Sequence, residues 1–389
     1  MKEGERINSM LQNLTNFIRK IYNSQEFIPL HAPKFLGKEK EYLNECIDTT
    51  FVSYVGAFVT RFEEMTRDFT GAGFAVATVS GTTALQIALQ IAGVKPGDEV
   101  ITQPLTFAAT CNAIVHSGGT PVFVDVDKNT LGMSPDKLYD FLSEISIMKD
   151  DGHCYNKITG KRIAGCVPVH IFGFPARIAE IIEICDRYNI PVVEDAAESL
   201  GSFYKGNHTG TFGKLGILSY NGNKTITTGG GGMILTDDEE LAKRAKHITT
   251  TAKKPHPYEF VHDEIGYNFR MPNVNAAIGV AQMEYIDRIL ENKRQTAMLY
   301  KEFCEDNGIE FITEPENTFS NYWLNTIVLE SFEARNEFLK HTNENGVMTR
   351  PIWRLMNKLV MFEQCQSGNL ENSLWLEERV VNLPSSVRV

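Results

Sequence analysis

The sequence lacks the patterns that mark several large classes of protein. Its seven cysteines are scattered without a CxxC pair, so neither a metal-binding spacing nor a disulfide framework is present, and no metal site is expected. No apolar run reaches transmembrane length, and the N-terminus has no apolar signal region. Lysine and arginine number 38 against 49 aspartates and glutamates, and this net charge of −11 argues against nucleic-acid and membrane partners. We expect a cytoplasmic protein with reduced thiols.

A nucleoside-triphosphate loop is also missing, because no GxxxxGK[ST] sequence occurs. The most conspicuous glycine run, Gly229 to Gly232, leads into the apolar stretch Met233–Leu235, which has the character of a strand rather than a helix. The run is therefore interpreted as room for a neighbouring residue and its ligand.

The chain of 389 residues is long enough for more than one domain. Short apolar runs alternate with helical patterns through its first two thirds, which predicts a mostly parallel α/β sheet with helices on both faces. The later residues predict a smaller α+β domain. We expect an N-terminal helical extension over residues 1–27, a large domain over 28–280 and a small domain over 281–389.

Ligands of such sheets bind beyond the carboxyl ends of the strands, so the residues that follow each strand are the candidates for a site. Ser80-Gly81-Thr82-Thr83 joins a strand to a helix, where free amides and hydroxyls suit a phosphate or merely cap the helix. Phe107 follows another strand and either stacks on a planar ring or packs in the core. His170 is a candidate polar contact or a structural histidine.

Glu194 and Asp195 end a third strand. A carboxylate there either caps the next helix or serves a ligand, and one chemical use is to keep the pyridine nitrogen of pyridoxal 5′-phosphate protonated. Glu198 shares a helical face with Asp195 and either touches the cofactor or interacts with the helix N-terminus.

Lys224 lies in the small polar loop Ser219-Tyr220-Asn221-Gly222-Asn223-Lys224, just before the glycine run. A lysine placed in this way is suited to deliver its amine to a ligand. We therefore hypothesise that Lys224 forms a Schiff base with pyridoxal phosphate.

The same residues resemble a known family. The matching stretches, in chain order, are Ser80–Leu85, Thr106-Phe107, Glu194–Glu198, Ser219–Lys224 and Gly266–Met271. They are similar to the nucleotide-sugar aminotransferases of the DegT/DnrJ/EryC1/StrS family, which have the fold of type I pyridoxal-phosphate enzymes, and the likeness spans roughly residues 28 to 385.

The resemblance implies a role for each matching residue. Lys224 is the lysine that binds the cofactor covalently, and Asp195 is the partner of the pyridine nitrogen. The remaining implied cofactor contacts are the stacking ring of Phe107, the phosphate turn Gly81, Thr82 and Thr83, the hydroxyl of Ser219, Asn268, and Glu198, which lies near the ring hydroxyl where many members carry glutamine or histidine. Family members place such an asparagine at the phosphate of the neighbouring subunit, which implies a homodimer with shared active sites.

Within the family, the sequence resembles the branch that makes precursors of legionaminic acid. The similar stretches are Asn221–Gly232, Thr349–Asn357 and the N-terminal extension. This likeness implies glutamate as amino donor and the C4 ketone of a UDP-linked 2-acetamido-2,6-dideoxy-4-keto-hexose as acceptor.

Three alternatives remain at this stage. A sugar dehydratase on the same scaffold carries histidine in place of the lysine, and a non-catalytic sensor is expected to lose Asp195 or Lys224. A structural or nucleotide-binding α/β protein would bind no pyridoxal phosphate, and its glycine run would be coincidental. The sequence also does not determine which residues bind the nucleotide. The candidates are Arg350, Trp353, Arg354 and Tyr322, each with a surface or core role as the alternative.

Overall fold

The computed structural model of the protein describes residues 3–388, so residues 1, 2 and 389 of the predicted end segments lie outside it. The helices are α1 Glu3–Tyr22, α2 Glu39–Asp48, α3 Ala57–Thr70, α4 Gly81–Ala92, α5 Ala108–His116, α6 Pro135–Ile145, α7 Ile178–Asp186, α8 Glu239–Thr249, α9 Asn273–Met283, α10 Ile286–Asn307, α11 Phe332–Glu344 and α12 Glu371–Arg379. None of these described helices is both long enough and apolar enough to cross a membrane.

The strands are short. They are β1 Phe74–Thr78, β2 Glu99–Thr102, β3 Thr120–Phe123, β4 Ser146–Met148, β5 Cys154–Asn156, β6 Ile163–Val167, β7 Val193–Asp195, β8 Phe203–Tyr204, β9 Asn207–His208, β10 Leu215–Ser219, β11 Gly232–Thr236, β12 Lys253–Lys254, β13 Val261–His262, β14 Glu310–Phe311, β15 Thr318–Phe319, β16 Asn325–Val328, β17 Arg350–Pro351 and β18 Val380–Leu383.

Seven strands form the central sheet in the order β3-β2-β6-β7-β10-β11-β1. Parallel bridges from Cys166 to Val192 and from Val169 to Asp195 join its two halves across β6 and β7. Only β11 runs antiparallel to its neighbours β10 and β1. The predicted mixed, mostly parallel α/β sheet is confirmed.

Apolar side chains cover both faces of this sheet, as the continuous apolar strands require. Residues of α4 and α8 pack against one part of it, and residues of α3 and α9 pack against the opposite side. Burial on both faces leaves the strand ends as the places where polar side chains reach solvent.

The C-terminal part forms a second, smaller sheet. Its antiparallel order is β14-β16-β18-β17, and α10, α11 and α12 accompany it in the chain, which confirms an α+β unit. Helix α1 joins the same core, since Leu11, Leu14 and Ile18 are fully buried there and the ring of Phe17 stacks on that of Phe303 at 4.3 Å between centroids. The divisions at residues 27 and 280 stay predictions.

Glu194 fastens the centre of the large sheet to the loop that precedes β10. Its fully buried carboxylate accepts hydrogen bonds from the backbone N–H groups of Gly210, Phe212 and Gly213 at 2.6–2.8 Å. It also accepts one from Nε2 of His170 at 2.9 Å. Nδ1 of that histidine accepts from the Ala176 N–H, so the imidazole proton lies on Nε2. Both His170 and Glu194 are therefore structural residues here.

We expect Glu194→Gln to destabilise the fold by about 2–4 kcal/mol, because the amide places a donor among four donors in a dry site. Denaturant unfolding of the cofactor-free protein measures this. Glu183→Gln, which removes one exposed ion pair with Arg187, is the matched control and should change stability by less than about 0.5 kcal/mol. Equal midpoints for the two variants would contradict the role assigned to Glu194.

Candidate active site

A cleft of about 310 Å³ lies at the carboxyl edge of the central sheet, where β1, β2, β7 and β10 end. Its walls include seven of the residues predicted from sequence, namely Gly81, Thr82, Phe107, Asp195, Glu198, Ser219 and Lys224. The topology thus brings together residues that are far apart in the chain, as expected for a doubly covered parallel sheet.

One end of the cleft is the N-terminus of α4. Ser80 is its N-cap, and the Ser80 hydroxyl accepts from the N–H of Thr83. The hydroxyl of Thr83 lies 2.9 Å from the Ser80 carbonyl, so it is used within the cap and does not line the cleft. The free N–H groups of the first turn and the positive end of the helix dipole suit an anion at this end.

Gly81 and Gly232 must be glycine because other atoms of the chain approach them too closely to leave room for a Cβ. A Cβ on Gly81 would lie 2.8 Å from the Cβ of Ser219, so only glycine lets that side chain stand over the helix N-terminus. A Cβ on Gly232 would lie 2.4 Å from the Ser80 carbonyl oxygen. The end of the glycine run therefore allows β11 to pack against the turn at Ser80, while Gly230 and Gly231 line the cleft.

Asp195 presents a buried carboxylate at the floor of the cleft. Its Oδ2 accepts from the hydroxyl of Thr110 at 2.8 Å, and its Oδ1 accepts from the N–H of Ala197 at 3.2 Å. Burial raises the pKa of this carboxyl, although both hydrogen bonds and the nearby charge of Lys224 oppose that effect. The carboxylate forms no ion pair within the described part of the chain and is suited to a cation supplied by a ligand.

Lys224 is held on two sides. Its Nζ lies 3.4 Å from Oε1 of Glu198 and 4.0 Å from the centroid of the Trp323 ring. The indole N–H of Trp323 donates to the carbonyl of Asn223, which fixes the loop that carries the lysine. The side chain is only 13% exposed, so its amine is directed into the cleft and not into solvent.

Glu198 connects the lysine to a strained turn. Its Oε2 accepts from the N–H of Phe172 at 2.8 Å, and Phe172 has φ 55°, a left-handed conformation that is costly for a residue with a side chain. Burial raises the pKa of the Glu198 carboxyl, while the charge of Lys224 opposes the shift. The carboxyl orients the lysine amine and stabilises the backbone beside it.

Aromatic side chains form the opposite wall. Phe107 is 56% exposed although it is a large apolar ring, and Trp353 lies beside it at 6.2 Å between ring centroids. Trp353 in turn packs on Phe172 at 4.8 Å. An open ring in a cleft offers a surface on which a flat ligand stacks.

Other predicted residues lie elsewhere. Asn268 is exposed, forms an isolated bridge with Thr250 and does not line the cleft of its own chain. Of the candidates for nucleotide binding, only Trp353 lines the cleft. Tyr322 is buried and its hydroxyl accepts from the N–H of Glu314, whereas Arg350 bonds to Asn343 at the surface.

Sequence reasoning missed Thr110 and Trp323. Thr110 follows Thr106 by four residues, one turn of helix, and the two hydroxyls lie 2.7 Å apart. Because Thr106 adjoins the candidate Phe107, this spacing could have indicated from sequence that Thr110 lies on the same side of the helix, near the site. Trp323 neighbours Tyr322, and no pattern in the sequence indicates which of the two rings turns toward the lysine.

These residues fit pyridoxal phosphate. The helix N-terminus with its glycine cradle suits the phosphate, the open ring of Phe107 suits the pyridine face, and the buried carboxylate of Asp195 without a cation suits a protonated ring nitrogen. Lys224 supplies the amine that reacts with an aldehyde.

Comparisons with known proteins agree with this reading. Residues 34–389 match the model of the DegT/DnrJ/EryC1/StrS aminotransferase family. The chain is 38% identical to the GDP-perosamine synthase of Escherichia coli O157:H7, over 92% of this chain and 93% of that protein. It is 36% identical to the putative pyridoxal phosphate-dependent aminotransferase EpsN of Bacillus subtilis strain 168, over 86% and 84% of the two chains.

The fold has the same relatives. The crystal structure of the aminotransferase TlmJ from Streptoalloteichus hindustanus superposes with a TM-score of 0.83 at 25% identity, over 92% of this chain and 93% of that one. The chain therefore belongs to the DegT/DnrJ/EryC1/StrS aminotransferase family and is a pyridoxal-phosphate-dependent sugar aminotransferase of fold type I.

Proposed function

We propose that the protein transfers the amino group of glutamate to the C4 ketone of a UDP-linked 2-acetamido-2,6-dideoxy-4-keto-hexose, in the biosynthesis of a bacterial surface amino sugar or nonulosonic acid. The observation that carries the amino transfer is the cleft in which Lys224, Asp195 and the N-terminus of α4 face one another. The sugar and its nucleotide rest on the resemblance of Asn221–Gly232 and Thr349–Asn357 to one branch of the family.

Each residue of the cleft has a proposed task. Pyridoxal phosphate, when bound, supplies an electron sink for the bonds broken at the substrate carbon. Asp195, oriented by Thr110, holds the proton on the ring nitrogen, and Phe107 covers the ring. The amides of Gly81 and Thr82 and the hydroxyl of Ser219 bind the phosphate.

Lys224 has the second task of moving a proton once the amino-acid substrate has displaced it. The carboxyl of Glu198 and the face of Trp323 keep the free amine directed toward the cleft. An amine must be deprotonated to take a proton. Since position 224 is lysine and Asp195 is present, the residues favour amino transfer over the dehydratase and sensor alternatives.

Two further features belong to the proposal. Asn268, which is exposed and does not line the cleft of its own chain, is proposed to reach the phosphate of a second copy, so the active form is a homodimer with shared sites. All seven cysteines are free thiols, which suits the reducing cytoplasm.

A second candidate substrate has its own support. Several relatives, including proteins from Escherichia coli, Vibrio cholerae and Caulobacter vibrioides, are GDP-perosamine synthases. A GDP-linked 4-keto-6-deoxy sugar without the acetamido group is therefore the competing acceptor.

We expect Lys224→Ala to lower turnover by about 10²- to 10⁴-fold, because it removes both the covalent attachment and the proton-transfer group. Borohydride treatment followed by intact-protein mass measurement should find cofactor fixed to the wild type and none fixed to the variant. Lys243→Ala, on the exposed face of α8, is the control and should behave as wild type. Normal turnover in Lys224→Ala would refute the assignment.

Asp195→Asn should weaken cofactor affinity by about tenfold or more, since it removes a charge-assisted hydrogen bond. The same change should raise the melting temperature of the cofactor-free protein at pH 7. The raised pKa of Asp195 means that the folded state binds more protons than the unfolded state between the ordinary and the raised value, so its contribution to stability declines as pH rises through that window.

Calorimetry of both proteins from pH 4 to 8 tests the stability part, and the advantage of Asp195→Asn should shrink as pH falls. Exposed Asp186→Asn is the control. An Asn variant with unchanged cofactor affinity would exclude Asp195 as the partner of the ring nitrogen.

Competition between the two acceptors tests the substrate. With glutamate as donor and equal concentrations of the UDP-linked acetamido ketone and a GDP-linked 4-keto-6-deoxy-hexose, we expect most amino sugar to carry UDP. Mass spectrometry of the products and of the 2-oxoglutarate released gives the ratio. A preference for the GDP-linked sugar would replace the UDP proposal while leaving amino transfer intact.

A further inference from the structure

One buried lysine bonds to the cleft residue Trp323 from outside the cleft and has no carboxylate partner among residues 3–388. Lys293 of α10 is 1% exposed, and its Nζ donates to the carbonyls of Trp323 at 3.1 Å and Ser385 at 2.7 Å. Its third partner is Nε2 of His31 at 3.1 Å. Burial lowers the pKa of Lys293 to about 7, while three acceptors for three N–H bonds favour the charged form. Burying an amine costs desolvation free energy. In return, Lys293 links the three segments that carry His31, Trp323 and Ser385.

His31 is the least satisfied of those partners. Because its Nε2 accepts from Lys293, its proton is assigned to Nδ1, and that buried atom has no hydrogen-bond partner among the described residues. Burial, then the charges on Lys293 and Lys224, hold the pKa of His31 well below its ordinary value, so the ring is neutral. The imidazole lies within the field of the active-site lysine, 6.5 Å from the Trp323 ring between centroids.

Trp323 connects this pair to Lys224. Lys293 holds its carbonyl, Oδ1 of Asn321 accepts from its backbone N–H at 2.7 Å, and the carbonyl of Asn223 accepts from its indole N–H at 2.7 Å. The ring so fixed places its face 4.0 Å from Nζ of Lys224. A cation over an indole face is stabilised by about 0.5–2 kcal/mol, the larger figure applying where water is excluded.

His31 comes from the segment that precedes the family match, which begins at residue 34. The small unit holds this segment tightly: Leu30 accepts from the N–H of Ser385 at 2.7 Å, and the N–H of Ala32 donates to Ser386 Oγ at 2.8 Å. Ile28 forms a parallel bridge with Val347. The segment after α1 therefore delivers His31 to a defined place.

We propose that His31 and Lys293 are positioning residues that hold the face of Trp323 against Lys224, so that the N-terminal segment is part of the active site. Neither residue touches the reacting atoms. They act through Trp323, which keeps the lysine amine directed into the cleft when no covalent bond holds it. The proposal extends the role proposed above for Lys224.

The test measures Lys224 directly and needs no cofactor. Cofactor-free protein is treated with limiting acetic anhydride, and the acetylation rate at Lys224 is followed by peptide mass mapping. We expect His31→Ala to raise this rate by about 3- to 30-fold, the factor that corresponds to losing the contact with the indole face. His31→Gln, whose carbonyl oxygen can accept from Lys293, should restore the rate to within about twofold of wild type.

His341→Ala is the matched control, because His341 lies in α11 of the same small unit and its Nε2 is also buried without a partner in the part of the chain that the structure describes. Its acetylation rate at Lys224 should equal that of the wild type. An unchanged rate in His31→Ala, or equal rates in the Ala and Gln variants, would overturn the proposal. A rate that rises equally in His341→Ala would also overturn it, because the effect would then be general loosening of the small unit.

A parallel titration with pyridoxal phosphate separates this proposal from the proposed function. Weaker cofactor binding by His31→Ala, with binding by His31→Gln near wild type, supports the positioning role. Absence of covalent binding in the wild type would refute the function assigned to Lys224, yet the acetylation result would still decide whether His31 positions that lysine.

Discussion

The adjacent carboxylates of Glu194 and Asp195 are the constraint on which the rest of the site depends. Successive side chains of a strand point to opposite faces of the sheet, so the two groups serve different purposes. Glu194 accepts three backbone N–H bonds from the loop before β10 and one from His170. Asp195 faces the cleft and has Thr110 and one backbone N–H as its partners among the described residues. One carboxylate fixes the strand, and the other stays available to a ligand.

The electrostatics of the cleft follow from this arrangement. The carboxyls of Asp195 and Glu198 are both buried, which raises both pKa values, and the charge of Lys224 opposes each shift. A buried carboxylate is costly unless a cation is present. In the cofactor-free site, the burial of these two carboxylates is therefore electrostatically unfavourable. A ligand with a protonated ring nitrogen places a positive charge beside Asp195 and lowers that cost.

The two units of the chain contribute different parts of the site. The large sheet supplies the phosphate end, the carboxylates and the lysine, all from strand ends. Trp323 and Trp353 come from the small unit and close the aromatic wall. Because Lys293 ties Trp323 to the N-terminal segment and to Ser385, the orientation of that wall depends on residues distant in sequence. The small unit thus adds to the alignment that Glu198 and Thr110 provide within the large one.

The sequence by itself determined the fold class, because buried parallel strands appear as continuous apolar runs and helix starts are marked by N-cap residues such as Ser80. It also indicated Gly81, Asp195 and Lys224, since strand-end residues of a parallel sheet converge regardless of loop detail. Contacts between side chains were decided only by tertiary structure. Whether Thr83 faces the cap or the cleft, and whether Tyr322 or Trp323 faces the lysine, depends on the orientation of individual side chains. No local sequence pattern predicts that orientation. The contact of His31 with the buried Lys293 beside Trp323 requires three segments to meet at one point: α10, the residues after α1 and the residues after β18. Local pattern and propensity do not encode such a meeting.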